Sequence, residues 1–172
     1  MKTKNIITLV CVVIIGLFVW GYFSKGGTSA SVQGASEPNS SVSKSSLTAL
    51  EKFYDFGTVS MKNGNVTKEF TVTNTGDKDV TVSTVLTSCM CTTALIVAPD
   101  GNTKGPFGMA GHGGSVPPAN EIIKAGDSRI IRVVFNPNAH GPAGVGPIDR
   151  FITLTDVSGN ALQLEIKAIV TP

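Results

Sequence analysis

Cys89 and Cys91 stand two positions apart in Ser88-Cys89-Met90-Cys91-Thr92-Thr93, the stretch of this chain best suited to chemistry. On an extended strand, residues two apart point to the same face, so both thiols would face one way. Two thiolates so placed suit one soft metal ion. They suit a disulfide less well, because fully extended alpha carbons two apart lie roughly 6.5–7 Å from each other, at or beyond the limit for unstrained bridging. A tight turn would be needed to permit that bond. The other soft donors are His112 and His140, each in a Gly/Pro-rich loop, Met90 between the cysteines, and Met109 three residues before His112. Thiolate and thioether favour Cu(I), while imidazole suits copper and zinc. The expected site is therefore Cu(I) on Cys89 and Cys91, completed by His112 or His140, with Met90 or Met109 as a softer alternative. Such ligands bind deprotonated, so affinity should fall with pH.

Three other readings of the pair stay open. The cysteines can be small buried residues at a strand end, with the histidines merely on flexible loops. They can exchange with a partner as a thiol–disulfide couple. Cys91 with His112 or His140 could also form a Cys–His hydrolase, but no orienting residue or oxyanion hole accompanies them. Met90, on a regular strand, would point away from the thiols. Asp55-Phe56-Gly57 matches a kinase magnesium triplet, yet no catalytic loop or nucleotide loop accompanies it. The Gly-rich run Gly108 to Gly114 is followed by no Gly-Lys-Ser/Thr. No paired carboxylates and no cofactor fingerprint are present, so no enzyme is expected.

The elements that must hold these residues read as strands. Phe70 and Val72 alternate with Thr71 and Thr73 before the turn Asn74-Thr75-Gly76-Asp77. Val80, Val82 and Thr84 continue the alternation into Leu86. Ile131, Val133 and Phe135 alternate until Asn136-Pro137. Ile148 to Thr155 leads through Ser158-Gly159-Asn160 into Leu162, Leu164, Ile166, Ala168 and Val170. Turn signals at this spacing suit an all-β, immunoglobulin-like antiparallel β-sandwich of about seven strands over residues 49–172. The Cys…Trp…Cys pattern of antibody domains is missing, because the one Trp is Trp20. Two loops, Pro99 to Asn120 and Asn136 to Pro147, hold seven of the nine prolines. Phe107 and Met109 are the apolar residues expected to pin the longer one, and loops of that length are often functional.

Residues 6–23, IITLVCVVIIGLFVWGYF, carry no charge. As one helix they span about 27 Å, close to the roughly 30 Å hydrocarbon core. Lys2 and Lys4 precede this run, so residues 1–5 are expected as a short cytoplasmic tip and the rest of the chain outside. A cleaved signal peptide is the rival, with a poor cleavage site at Thr28-Ser29-Ala30. A lipoprotein reading through Cys11 fails because Val10, not a small residue, precedes it. Residues 24–48 hold nine serines and little to bury, which reads as a flexible tether. The chain has 14 basic and 12 acidic residues; without Lys2 and Lys4 the balance is 12 to 12. A neutral body argues against a nucleic-acid surface, which needs clustered cations. The expected partners are the membrane and an envelope protein bound through a strand edge or the long loops.

Tyr54-Asp55-Phe56-Gly57, the stretch Phe70 to Asn74 with Thr75-Gly76-Asp77, and Ser88-Cys89-Met90-Cys91-Thr92-Thr93 together resemble the bacterial family called domain of unknown function 1573. The resemblance covers about Glu51 to Pro172. It implies a single immunoglobulin-like sandwich on an exported or membrane-tethered protein of the bacterial envelope, and it implies no activity. The family's usual block is Ser-Cys-Gly-Cys-Thr; here Met90 replaces the glycine, which removes a conformationally free residue and adds a sulfur. The loops around His112 and His140 resemble a long-loop variant of this family.

Overall fold

The computed structural model describes residues 46–111 and 117–172. The expected cytoplasmic tip and anchor, Cys11, almost all of the tether and His112 lie outside the described residues.

Period-two alternation builds the sandwich. Ten strands form among the described residues: β1 (Leu47–Ala49), β2 (Phe53–Ser60), β3 (Val66–Asn74), β4 (Val80–Thr87), β5 (Thr92–Val97), β6 (Thr103–Phe107), β7 (Glu121–Ile123), β8 (Ser128–Phe135), β9 (Gly146–Asp156) and β10 (Ala161–Thr171). One sheet has the order β1-β3-β8-β5-β6 and the other β2-β10-β9-β4-β7. The all-β two-sheet architecture is thus the one that the alternation predicts. Three details differ. There are ten strands rather than about seven, because β1, β6 and β7 are short edge strands with no readable period. The pairing is not wholly antiparallel, since β2 runs parallel to β10. The folded part also reaches back past Ala49: Leu47 pairs with Asn74, and Ser46 O accepts from Thr75 N at 2.9 Å.

The inward phase of each long strand supplies the core. Phe70 and Val72 of β3, and Ile131, Val133 and Phe135 of β8, lie in one cluster with Val82, Val85, Ile152, Leu154, Leu164 and Ile166 of the other sheet. Each such side chain contributes about 1.5–3 kcal/mol on leaving water. Some inward-phase positions carry charge instead. Asp156 at the end of β9 accepts the backbone N–H groups of Ser158 and Asn160, at 2.8 and 3.0 Å, and so shapes the β9–β10 turn. Glu121 of β7 and Arg129 of β8 face each other across the two sheets, with Arg129 Nε 2.6 Å from Glu121 Oε1. Arg150 of β9 belongs to the candidate site.

Lys104 Nζ, from β6, meets the other Glu121 oxygen at 2.6 Å, so one carboxylate ties an edge strand of one sheet to two strands of the other. Burial pushes the Glu121 carboxyl up, but the hydrogen bonds and charges of Lys104 and Arg129 outweigh it and hold the group below its ordinary range. A lowered native pKa means that the carboxylate's contribution is complete above the ordinary glutamate range and is lost as pH falls through the native value. Glu121→Gln should cost about 2 kcal/mol, less than a fully buried broken pair because Lys104 is half exposed. It should also flatten the acid limb of stability. Urea denaturation at pH 7 and at acidic pH checks both; equal acid limbs in the two proteins would contradict the assignment.

Candidate functional site

β4 ends in one sheet at Thr87 and β5 begins in the other at Thr92, so residues 88–91 must turn the chain between the sheets. Thr92 N donates to Cys89 O at 3.1 Å and closes that turn. The buried Thr87 hydroxyl sits 3.1 Å from Cys89 O and 2.9 Å from Thr92 O, and its single proton serves whichever carbonyl it faces. Neighbouring segments fix the turn further. Asn136 N donates to Cys91 O at 2.8 Å, Ser88 N to Phe151 O at 2.9 Å, and Phe151 N to Ser88 Oγ at 2.9 Å.

This curl brings the alpha carbons of Cys89 and Cys91 to 5.2 Å, and the two residues are joined by a disulfide. The extended geometry expected for the pair is thereby corrected: the cysteines lie on a turn, where the separation falls within the ordinary bridging range. Met90 at its apex is exposed and, instead of pointing away from the pair, lines the same cleft as Cys89.

Besides the adjacent Thr92 hydroxyl, 3.6 Å from Cys91 Sγ, two side chains reach the sulfurs. His140, at the start of a short 3-10 turn over Gly141–Gly144, places Nε2 3.2 Å from Cys89 Sγ. Arg150 donates from Nε to Cys91 Sγ at 3.2 Å, and from Nη1 to Asp149 O at 2.8 Å. A cleft of about 330 Å³ opens over the bridge, lined by Ser88, Cys89, Met90, Met109, His140 and Arg150. The structure therefore brings five of the six expected site residues together, and the sixth, His112, lies outside the described residues. Arg150 is the residue that the sequence reading missed. Its signal was present, for Ile148, Arg150, Ile152 and Leu154 occupy one phase of β9, and a cation on that phase has to find a partner inside.

The ligand atoms of Cys89, Cys91 and His140 all lie within 4.8 Å of one another. That donor set fits a soft cation only once the disulfide is opened, because a metal-binding thiolate must be free. In the oxidised form the chemistry available is exchange at a sulfur. A disulfide spanning two residues closes so short a loop that it gains little chain entropy. The turn is already held by Thr87, Thr92 and Asn136, so the bond adds little that the fold requires.

Residues 47–100 match the family model described as protein of unknown function (DUF1573). No curated protein matches the chain. Among solved structures, the chain is similar to a protein of unknown function from Porphyromonas gingivalis W83, at 15% identity and TM-score 0.52, over 72% of this chain and 46% of that one. The chain thus spans about half the length of that protein. The ASH / PapD-like domain of human CEP192 is similar at 12% identity and TM-score 0.47, covering 84% of this chain and 98% of the other. The Pseudomonas aeruginosa CupB2 chaperone follows at 14% identity and TM-score 0.37, with 72% and 55% covered. At these identities the first likeness concerns the fold alone.

Proposed function

We propose, for a chain whose residues 47–100 match the DUF1573 family model, that the Cys89–Cys91 pair is a thiol–disulfide couple serving a partner protein. It is carried on an immunoglobulin-like interaction module tethered to the outer side of the cytoplasmic membrane. The observation that supports this reading is the disulfide with His140 Nε2 on one sulfur and Arg150 Nε on the other, beneath an open cleft. A cation beside a cysteine favours its thiolate and so favours the opened form. The exchange is stoichiometric, the partner supplies the other thiols, and the chain is no enzyme in its own right.

Equilibration of the chain in glutathione buffers tests this. The bond should open and close reversibly while the sandwich stays folded, with stability shifting by less than about 2 kcal/mol, as a short-loop bridge implies. A bond that yields only when the chain unfolds would make the pair structural.

The opened form has a second reading, Cu(I) capture, which the clustering of Cys89, Cys91 and His140 within 4.8 Å favours, with Met90 and Met109 on the same cleft. Cu(I) competition on the reduced chain beside its Cys89→Ser/Cys91→Ser variant checks it. Tight stoichiometric binding lost in the variant is the expected result; weak binding equal in both removes copper and leaves the redox reading intact. Binding of an envelope partner through a strand edge would survive the double substitution.

A further inference from the structure

The two sulfurs of the bridge are not equivalent. Cys89 lines the cleft; Cys91 does not, and it is 3% exposed against 9% for Cys89. Both receive donors, but of different kinds. Cys89 Sγ accepts from Cys91 N at 3.2 Å and faces His140 Nε2, whose role depends on its tautomer. Cys91 Sγ accepts from a guanidinium, which is charged at every accessible pH and makes the stronger bond to a developing anion.

Building on the redox reading above, we propose that an incoming partner thiolate attacks Cys89 Sγ from the cleft, with Cys91 as the leaving sulfur and Arg150 as the positioning residue for its charge. The attacking thiolate's electron pair forms the bond to Cys89 Sγ. The Cys89–Cys91 bond breaks, and its pair passes to Cys91 Sγ beside the Arg150 Nε–H. A second thiolate, from the partner's other cysteine, then attacks the mixed disulfide on its partner side. The partner leaves as a disulfide, and Cys89 and Cys91 remain reduced. Two electrons pass from the partner's dithiol to this chain. The substrate class is thus a cysteine pair on a polypeptide, one of whose thiols can enter a cleft walled by Met90 and Met109.

The test uses the full 172-residue chain carrying Cys11→Ser, oxidised, with 2-mercaptoethanol as the probe at one fixed pH. 2-Mercaptoethanol attacks as its thiolate and carries no other charge. Rapid acid quenching followed by fragment mass mapping locates the first adduct, expected on Cys89. Arg150→Met should slow bridge opening on the order of tenfold, and Arg150→Lys should recover part of the rate. A second measurement excludes a merely structural effect. In a Cys91→Ser chain preloaded with the probe on Cys89, a second 2-mercaptoethanol thiolate attacks the probe sulfur and Cys89 leaves; Cys91 is no longer the leaving group, so Arg150→Met should leave this release unchanged. A first adduct on Cys91, or on both equally, overturns the inference while the redox reading stands. An opening rate indifferent to Arg150→Met overturns it too. A bridge that no thiol opens defeats both.

Discussion

Phe107→Ala is expected to lower the unfolding free energy by about 3–5 kcal/mol, the usual range for emptying a fully buried phenylalanine site. Phe107 is 1% exposed, whereas Thr103 to Pro106, the rest of β6, all face solvent. One ring therefore anchors an edge strand that has no other apolar contact to offer. Its surroundings are fitted closely: a Cβ on Gly105 would meet Ala94 O and Phe107 N, both at 3.0 Å, in a backbone conformation of φ +118° that favours glycine. The anchor also serves the cleft. Gly108 O accepts from Thr87 N at 3.2 Å, and Met109 forms part of the cleft wall. Phe107→Ala should thus loosen both the strand and the Met109 side of the site. Urea denaturation measures the first effect and the accessibility of Met109 to mild oxidation the second. Phe107→Leu, which keeps most of the apolar volume, should cost clearly less. Equal costs for the two variants would mean that β6 is held by something other than this ring.

Asn74→Ala should cost about 3 kcal/mol through a different mechanism. Asn74 is fully buried at the end of β3. Its Nδ2 donates to Lys78 O at 2.7 Å and to Ile123 O at 3.0 Å, while Oδ1 accepts from Gly76 N at 3.0 Å. One amide thus closes the β3–β4 turn and joins one sheet to β7 of the other. Each bond contributes about 1 kcal/mol net, and alanine would orphan groups shielded from water. Asn74→Asp should be no milder, because a carboxylate cannot donate to the two carbonyls that the amide nitrogen serves. Denaturation of both variants, with hydrogen exchange at Gly76 and Thr75, checks the size and the location of the effect. An aspartate as stable as wild type would contradict this role.

What the sequence made legible follows from which interactions are local. β3, β8, β9 and β10 announce themselves, because alternation such as Leu162, Leu164, Ile166 against Gln163, Glu165, Lys167 has one interpretation when one face is buried. β6 could not be read, since Thr-Lys-Gly-Pro-Phe carries two turn formers and one apolar residue. Nor could the direction of β2 beside β10, because a strand's own pattern says nothing about its neighbour. At the site, residue type alone gathered Cys89, Cys91, Met90, Met109 and His140. The disulfide geometry escaped because the curl of residues 88–91 rests on bonds from Thr87 and Asn136 that no local propensity encodes. Arg150 was legible in principle, as a charge on the apolar phase of β9.

The parallel pairing of β2 with β10 also sets an order of events in time. Phe53 finds its place only beside Glu165, so β2 stays unpaired on that side until the last strand has arrived. Contacts so distant along the chain are slow to form. Cys89 and Cys91 precede Arg150 and β10 along the chain, so the two cysteines are made while the sandwich is still incomplete. Arg150 can reach the Cys91 sulfur only once β9 has joined the sandwich. The contact between Arg150 and the Cys91 sulfur is thus made by a strand that follows the cysteines in the chain, and it arrives late in assembly.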